Sequence, residues 1–417
     1  MKQEVNTVII GAGICGLSVA HFLSKKRSDF LILEASNLSG GIIQTKIINN
    51  FICENGPNTV LLNNDATEEI IKDYELWEDL QFPKESSKKN RFVLRQNKLT
   101  KIPLNLISFI FSPLFSFISK IRILREPFIK PHKKNTSVFE FVNKRFGKEF
   151  HDQLIEPFIT GIYAGNTKKM SAEHTLKWLW KLEQSHGSII RGILKSKKDK
   201  KSKINSFNFS KGFSQLTSKI AESMADKLLL NFKVQHIIKS DNGYEIISES
   251  GKILCKEIIC SAPAYSLRNF IDDRSLVSEL DKIIYSPVDV FHFGFDKKNI
   301  QNKKQGFGVL TKPSDSKSYL GILFNSRIFD YVSPKDKELF TVLVGGERQK
   351  KLCEMNPIKL KQLILEELED LLGHKGETII DNHYRWAKGI PQFNLHHYDL
   401  LNAIKDFENK NSNFHLI

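Results

Sequence analysis

Cysteine is scarce in this sequence, and its distribution excludes two kinds of structure. The chain of 417 residues contains five cysteines, and no two of them form a C-x-x-C pair. An odd and scattered set argues against a disulfide framework and against a cysteine-based zinc site. The composition therefore indicates a protein of a reducing compartment.

Long apolar runs are also absent. The most apolar stretch, residues 102–118, is interrupted by two prolines and falls short of the ~20 residues that a membrane-spanning helix needs. The basic residues Lys120, Arg122 and Arg125 follow it, which favours an element that lies in a membrane interface and is attracted to anionic lipid. A buried helical hairpin of a soluble protein is the alternative. The chain opens with MKQEVNTVII, which is not a cleavable leader. We expect a cytoplasmic protein that is peripherally associated with a membrane.

Acidic residues are in the minority. The 47 Asp and Glu residues face 62 Lys and Arg residues, which gives a net charge of +15. This excess fits either an ordinary solvated surface or an anionic partner, such as lipid, substrate or nucleic acid. The basic segment 195–203 is interpreted as a solvated loop. No helix-turn-helix, RNA-recognition or zinc-finger motif is present, so nucleic acid is not an expected partner.

Side-chain sets for nucleophilic or metal catalysis are missing as well. The sequence shows neither a Ser/His/Asp set nor a motif of paired carboxylates. His396 and His397 are adjacent, but no further ligands follow at a suitable spacing, and no metal site is predicted. A cofactor that carries the reactive group itself is compatible with these absences.

The N-terminal stretch VIIGAGICGLSVAHFLSKK has the pattern of a dinucleotide-binding unit. An apolar strand precedes Gly11, Gly13 and Gly16, and apolar residues then recur with helical spacing. Gly11 permits the tight turn, Gly13 lets the backbone approach a pyrophosphate, and Gly16 lets helix and strand pack closely. The helix N-terminus, beginning near Ile14, directs free N–H groups at the phosphates. The unit is Rossmann-like.

A second apolar strand, DFLILEAS, carries Glu34 and Ala35 at its end. Glu34 lies 23 residues after Gly11, where an acceptor for a ribose hydroxyl belongs. An acidic residue at this position disfavours the 2′-phosphate of NADP. The sequence therefore predicts a dinucleotide without that phosphate.

Two further turns distinguish FAD from NAD. Gly40 and Gly41 follow the second strand in SNLSGGIIQT, and Gly56 and Pro57 lie in FICENGPNTVLL. We interpret both as loops that pass close to a bulky cofactor. Two ordinary turns are the alternative.

These motifs, with several downstream, resemble the FAD-dependent amine oxidase and desaturase superfamily. Within it, the sequence is most similar to the oxygen-dependent protoporphyrinogen oxidases. The shared elements are EAS followed by GG, ENGPNT, LIEPFITGIYAGNTKKMS, WKLEQSHGSIIRGI, GFGVL, LGILF, VLVGG and WAKGIPQF. The likeness extends from Val8 to about residue 400. The Y-A-G element is specific to this enzyme family.

The resemblance implies an α/β fold with three units. A Rossmann-like FAD-binding domain would comprise residues 1–90, 205–280 and 378–417. A helical membrane-associating domain would comprise residues 91–204. A mixed-sheet substrate domain, inserted into the first, would comprise residues 281–377.

The resemblance also implies an activity. It is the oxidation of protoporphyrinogen IX to protoporphyrin IX, in haem or chlorophyll synthesis, by FAD with O2 as acceptor. A homodimer is compatible with the resemblance. Another FAD-dependent amine oxidase, a carotenoid desaturase, and an inactive membrane-associated fragment are the alternatives.

Site residues follow from the matched positions. Arg91 would hold a substrate carboxylate, with Arg95 as its competitor. Gly165, in the Y-A-G element, would contact the substrate. Asn58 would orient the flavin or the substrate, and Val234 would lie near the adenine. Leu310, Leu323 and Leu343 would surround the macrocycle.

Three positions depart from the family pattern. Cys15 replaces a serine, Gln44 replaces an arginine of some relatives, and Leu343 replaces an aromatic residue of plant relatives. Cys15 is expected to leave the function unchanged, whereas Leu343 would weaken ring stacking.

The C-terminal stretch NSNFHLI resembles the strand that, in relatives, leads into G-N-x-x-x-G-[VL]-x-x-G and a final helix. That motif contacts the flavin, and the sequence ends at Ile417 before it. We expect a fragment or a shortened gene product, in which flavin binding and stability are reduced. A chain that binds FAD without this motif, aided by a second chain, is the alternative.

Overall fold

The computed structural model describes residues 2–196 and 205–417. Most of the basic segment 195–203 lies outside these ranges. The described residues build two large sheets and a helical region, which we call the first sheet, the second sheet and the helical region. The predicted α/β architecture with mixed sheets is confirmed.

The first sheet carries the N-terminal motif. Its central strand, Lys2–Ile10, pairs in parallel with two neighbours, and all three end at one edge because Ile10 lies opposite both Leu33 and Cys260. A fourth parallel strand ends there too, since Leu416 lies opposite Cys260. In spatial order, the strands are Leu228–Leu229, Phe30–Leu33, Lys2–Ile10, Gly251–Cys260, Gly243–Ser248 and His236–Ser240, with Phe414–Leu416 beside the end of Gly251–Cys260.

Helices cover both faces of the first sheet because its parallel strands are apolar on both sides. Leu17 and Ile220 are buried on one face, and Leu276 and Leu400 are buried on the other. The helices of this unit are Ile14–Lys25, Asp65–Asp73, Ser214–Ser223, Ala264–Leu267, Arg274–Leu280 and His397–Lys410. The short helix Glu85–Lys89 begins after Lys84, whose N–H donates to the Ile328 carbonyl oxygen of the second sheet's unit. Two small sheets flank it, Thr45–Ile48 with Phe51–Glu54, and Val60–Leu62 with Asn205–Phe209 and Leu80–Gln81.

The second sheet has seven strands. Its face against the helix Pro357–Leu372 is built by alternate phenylalanines, Phe291, Phe293 and Phe295, which pack with leucines of that helix. In spatial order, the strands are Ile380–Pro391, Tyr285–Asp296, Lys337–Gly345, Gly321–Leu323, Gly308–Leu310, Phe92–Arg95 and Lys98–Lys101. Its short helical segments are Lys297–Asn299, Pro313–Asp315, Asn325–Ile328 and Lys350–Glu354.

Three strands of the second sheet lie outside residues 281–377. The hairpin 92–101 joins its far edge through the parallel pairing of Phe92 and Val93 with Val309 and Leu310. The strand Ile380–Pro391 forms the opposite edge. The expected helical domain, residues 91–204, and the expected C-terminal part of the FAD domain, residues 378–417, therefore each contribute to this sheet.

The helical region packs around its own apolar core. Ser137 and Glu140 form a capping box that starts a helix, and the next turns bury Phe141 against Trp180. Its helical segments are Leu106–Ile110, Phe117–Arg122, Ile123–Phe128, Val138–Phe146, Lys148–Phe150, His151–Ile155, Glu156–Tyr163, Ala172–Thr175, Lys177–His186 and Ile189–Ser196. Within residues 2–196 and 205–417, none of the helices combines the length and the apolar character that crossing a membrane demands.

The first part of the helical region exposes many large apolar side chains. We call this set the apolar patch. Its members are Leu104, Leu106, Ile107, Ile110, Phe111, Phe117, Ile118, Ile121, Leu124 and Phe128. A short segment that exposes this many large apolar side chains usually marks an interaction site.

Candidate functional site

The glycine-rich turn between the first strand and its helix has the geometry that the sequence predicts. Gly11 has a φ of +103°, which favours glycine. A Cβ atom on Gly16 would lie 1.9 Å from the Gly11 carbonyl oxygen, so the close approach of helix and turn requires glycine there. Among the residues that the structure describes, no atom outside its chain neighbours lies within 4 Å of a Cβ placed on Gly13. The space beside Gly13 is therefore open, as a bound pyrophosphate requires.

The Glu34 carboxylate lies beside this turn. It accepts hydrogen bonds from Ala12 N at 2.9 Å, from Ser36 N at 2.9 Å and from Ser36 Oγ at 2.8 Å. Glu34 is half-buried and Ala35 is exposed. A carboxylate offers about four acceptor positions, so one remains for a further donor such as a hydroxyl.

Two more loops meet the glycine-rich turn. Gly40 forms an isolated bridge with Gly13 and donates from its N–H to the Ala12 carbonyl oxygen at 2.8 Å. A Cβ atom on Gly56 would lie 1.9 Å from the Ile42 carbonyl oxygen. The predicted cofactor glycines thus lie on three touching segments, 11–16, 40–44 and 55–58.

Loop 55–58 follows a buried glutamate that ties it to the first sheet's unit. The Glu54 carboxylate accepts from Phe213 N at 2.9 Å, Thr45 Oγ1 at 2.7 Å and Asn208 Nδ2 at 3.1 Å. Burial raises the pKa of Glu54, and these hydrogen bonds oppose the rise. Asn208 also donates to the Asn58 carbonyl oxygen at 3.2 Å, which fixes both ends of the loop.

The second sheet holds the same loop from the other side. His292 contacts the Glu54 carbonyl oxygen through Nε2 at 3.1 Å and Asn382 Nδ2 through Nδ1 at 3.2 Å. Asn382 Nδ2 also donates to Asn55 Oδ1 at 3.2 Å, and Trp386 Nε1 donates to the Asn55 carbonyl oxygen at 2.7 Å. Burial lowers the pKa of His292 to about 4. These contacts were not predicted, although a histidine between phenylalanines in VFHFGF signals a polar position on a buried strand.

Asn58 was predicted to orient ring or substrate, and it lies where the two units meet. Its Oδ1 accepts from Asn325 Nδ2 at 2.8 Å, and its Nδ2 approaches the Gly56 carbonyl oxygen at 3.4 Å. Neither contact was expected from the sequence. Pro57 and Asn58 are half-buried, so both remain accessible to a ligand.

The three predicted leucines lie on one face of the second sheet. Leu310 and Leu343 both lie opposite Gly321, and residues paired in this way share a face. Leu323 is two residues beyond Gly321 and is therefore on that face too. Leu323 lies opposite Thr341, and Thr341 lies opposite His292, so this is the face turned toward loop 55–58.

Other predicted substrate residues surround this face. Leu310 packs on the helix Glu156–Tyr163, where a Cβ atom on Gly161 would lie 2.3 Å from its Cδ2. Gly165 is buried against Met170 and Gln392. The Y-A-G element therefore closes one end of the leucine face.

Arg91 and Val234 belong to different units, since Arg91 precedes the strand Phe92–Arg95 of the second sheet and Val234 belongs to the first sheet's unit. The Arg91 guanidinium carbon is 4.9 Å from the centre of the Phe307 ring, and Arg91 forms no ion pair within the part of the chain that the structure describes. Its cation is available to a ligand. Val234 is buried in the core of the first sheet near the start of its edge hairpin.

One cluster of metal-ligating side chains already holds a cation. His21, Glu69 and Asp73 lie close together, and Lys25 Nζ ion-pairs with both carboxylates, at 2.8 Å from Asp73. The ammonium group satisfies this cluster in the way a metal ion would.

The matches to known proteins cover nearly the whole chain. The model of the family described as flavin containing amine oxidoreductase matches residues 14–416. A mitochondrial protoporphyrinogen oxidase of Nicotiana tabacum is 31% identical, over 96% of this chain and 87% of the relative. Protoporphyrinogen oxidase 2 of Arabidopsis thaliana is 29% identical over the same shares. The coproporphyrinogen III oxidase of Bacillus subtilis is 25% identical over 96% of this chain and 90% of the relative.

Solved structures share the fold. A protoporphyrinogen oxidase candidate from Exiguobacterium sp. 255-15 superposes with a TM-score of 0.83 at 21% identity, covering 99% of this chain and 93% of that one. A reduced UDP-galactopyranose mutase superposes with a TM-score of 0.75 at 16% identity, covering 99% and 89%. The chain therefore belongs to the flavin-containing amine oxidoreductase family, and it is a flavin-dependent oxidoreductase related to the protoporphyrinogen oxidases.

Proposed function

We propose that this chain oxidises protoporphyrinogen IX to protoporphyrin IX with FAD as cofactor and O2 as acceptor. The observation that carries the proposal is the leucine face of the second sheet. Leu310, Leu323 and Leu343 form an apolar surface on the side that is turned toward loop 55–58. A flat apolar macrocycle beside a flavin would require such a surface.

FAD fits the residues of the first sheet's edge. The open space at Gly13 and the N-terminus of the helix Ile14–Lys25 suit a pyrophosphate, and Glu34 suits a ribose hydroxyl. When bound, the flavin supplies the two-electron acceptor for hydrogens that leave the substrate. The residues proposed to hold FAD are Gly11, Gly13, Ile14, Gly16, Glu34, Ala35, Gly40, Gly41, Gly56, Pro57, Asn58 and Val234.

The substrate residues have separate tasks. The leucines exclude water from the macrocycle, and Gly165 keeps the end of their face narrow. Arg91 is proposed to bind a propionate, because a guanidinium holds a carboxylate through two parallel hydrogen bonds. The positive charge of Arg91 also compensates the negative charge of the propionate when the propionate leaves water.

The test combines flavin content with turnover. The chain is purified with FAD and desalted, and the flavin retained per polypeptide is measured. Retention of close to one flavin per polypeptide is the result that the proposal requires. Protoporphyrinogen IX is then added in air, and porphyrin fluorescence is expected to rise as O2 is reduced to hydrogen peroxide. Arg91→Ala is expected to raise KM about tenfold with a smaller change in kcat, since it removes one charge-assisted contact.

Two results would contradict this assignment. Faster oxidation of coproporphyrinogen III, which carries two more propionates, would move the chain to the activity named for its Bacillus subtilis relative. Oxidation of an amine or a carotene without any porphyrinogen turnover would place it elsewhere in the superfamily. Arg95→Ala is the matched control for the arginine, because Arg95 already donates to the Pro113 carbonyl oxygen.

We also propose that the apolar patch binds the surface of a membrane. Phe111, Phe117 and Phe128 are 81%, 76% and 83% exposed, and basic residues lie between them. Aromatic side chains can enter the interface, while lysines and arginines attract anionic headgroups. A poorly soluble substrate could then reach the site from the membrane side.

Replacing the three phenylalanines by serine is expected to weaken liposome binding about 100-fold, since each loses a buried apolar surface. The measurement is flotation with vesicles that contain or lack anionic lipid, at low and high salt. Ile358→Ser is the control, because Ile358 is equally exposed on a helix of the second sheet's unit. Unchanged flotation of the triple variant, or binding that is independent of salt and anionic lipid, would refute the membrane role.

A further inference from the structure

We propose that His292 is a positioning residue for the flavin, acting through the backbone of residues 54–58. This inference rests on the proposed function, because it assumes that loop 55–58 contacts the flavin. It adds a residue that no motif of the sequence singles out. His292 would touch neither cofactor nor substrate.

The geometry assigns one tautomer to His292. Its Nε2 faces the Glu54 carbonyl oxygen at 3.1 Å, and a carbonyl oxygen can only accept. Its Nδ1 faces the amide nitrogen of Asn382 at 3.2 Å, which can only donate. The neutral ring with the proton on Nε2 satisfies both contacts, and the side chain is fully buried.

Asn382 is fixed in turn, so the histidine has a stable partner. Its Nδ2 donates to both His292 and Asn55, and its Oδ1 accepts from Lys46 Nζ at 3.2 Å. His292 and Asn382 lie directly opposite each other on neighbouring strands. The register of the second sheet therefore aims both groups at two neighbouring residues, His292 at the Glu54 carbonyl oxygen and Asn382 at the Asn55 side chain.

The two units of the protein meet at this point. The Glu54 side chain bonds to Thr45, Asn208 and Phe213, which belong to the first sheet's unit. The carbonyl oxygen of the same residue bonds to His292 in the second sheet. Residue 54 is thus held from both sides, and Gly56 two residues later contacts the Ile42 carbonyl oxygen. A small displacement at Glu54 would move the proposed flavin contacts relative to the leucine face.

The experiment compares two buried histidines of the same unit. His292→Leu removes the contact to the Glu54 carbonyl oxygen and the contact to Asn382. His374→Leu is the matched control, because His374 is also buried and contacts a backbone carbonyl oxygen, that of Leu365 at 3.2 Å, on the opposite face of the sheet. Both are expected to lower Tm. Only His292→Leu is expected to raise the Kd for FAD, by about tenfold, and to shift the visible absorption band of the bound flavin.

Rescue and a second variant complete the test. His292→Gln can donate to Glu54 and accept from Asn382, so it is expected to return the Kd to within about threefold of wild type. Trp386→Phe keeps an aromatic ring and removes the donor to the Asn55 carbonyl oxygen, so it is expected to shift the flavin band. This variant carries the test if His292→Leu fails to fold.

Three outcomes would overturn the inference. Equal Kd and equal flavin spectra for the His292→Leu and His374→Leu variants would show that His292 acts on stability alone. An unshifted band in Trp386→Phe would refute the role of the loop where His292→Leu does not fold. A wild-type chain that binds no FAD would refute the proposed function itself, and with it this role.

Discussion

A Gly13→Glu variant is expected to fold like the wild type and to bind FAD at least about 100-fold more weakly, because a carboxylate would occupy the place of the pyrophosphate. Gly13 has a φ of −74°, which every residue can adopt. Within residues 2–196 and 205–417, no atom beyond its chain neighbours lies within 4 Å of a new Cβ there. The introduced charge would also compete for the free N–H groups at the helix N-terminus. Flavin retained after desalting and a titration of the Kd measure this effect.

Gly16→Ala is the informative contrast, three residues away. Its methyl group would lie 1.9 Å from the Gly11 carbonyl oxygen, a contact that no side-chain rotation relieves. We expect it to destabilise the fold by about 3 kcal/mol, as overpacking does at rigid positions. Thermal unfolding of the two apo proteins separates loss of binding from loss of structure. Equal Tm values for both variants would contradict the assigned roles of the two glycines.

Cys15 reports on the same site without any enzymatic assay. Of the five cysteines, all within the described residues, Cys15 alone is exposed. One thiol per chain is therefore expected to react quickly with a disulfide reagent, and saturating FAD is expected to protect it in the wild type but not in Gly13→Glu. Cys15→Ser should remove the fast reaction. Protection that persists in Gly13→Glu would show that the dinucleotide lies elsewhere.

The sequence was sufficient to predict the local backbone geometry of the glycine-rich turn. Gly11, Gly13 and Gly16 lie within one turn, so their spacing alone defines a strand, a turn and a helix. Leu310, Leu323 and Leu343 were predicted through resemblance. Only the strand register shows that they share one face.

The contacts that join the two units could not be predicted in this way. His292 lies 238 residues from Glu54, and Asn382 lies 327 residues from Asn55. No local pattern encodes such distances. The parallel pairing of the hairpin 92–101 with Leu310 could not be predicted for the same reason, because it depends on how segments distant in sequence dock. A polar residue inside an apolar strand indicates that a partner exists, but it does not indicate which one.

Arg145 is expected to be the most sensitive polar position of the helical region. Its guanidinium is fully buried and ion-pairs with Glu126 and Glu183, which are also fully buried. Glu126 additionally accepts from Ile189 N at 2.8 Å and from Ile190 N at 3.2 Å. This network connects four helical segments, Ile123–Phe128, Val138–Phe146, Lys177–His186 and Ile189–Ser196.

Hydrogen bonds within the network offset the cost of burying its charged carboxylates. Burial by itself raises the pKa of Glu183, but hydrogen bonds from His132 and Arg145 outweigh it and hold the pKa below its usual value. His132 contributes through its N–H at 2.9 Å and its Nδ1 at 2.7 Å. Removing Arg145 would leave the buried carboxylates of Glu126 and Glu183 without the cation that they share.

Arg145→Met is therefore expected to lower the free energy of unfolding by about 3–5 kcal/mol, the cost of leaving buried charge unpaired. Urea unfolding of apo protein measures it. Arg268→Ala is the control, because its ion pair with Asp281 is half-exposed (50% and 49%) and is worth less than about 1 kcal/mol. Equal unfolding curves for the two variants would refute the importance of the network.

Arg145→Met should also affect the apolar patch, because one segment of the patch is anchored by the buried network. Glu126 lies in the segment Ile123–Phe128, whose Leu124 and Phe128 belong to the apolar patch. The buried carboxylate thus holds the inner side of a segment whose outer side is apolar. If the patch binds lipid, Arg145→Met should weaken liposome flotation at temperatures where the remainder of the chain is still folded. Unchanged flotation together with the expected loss of stability would show that the patch keeps its shape without this anchor.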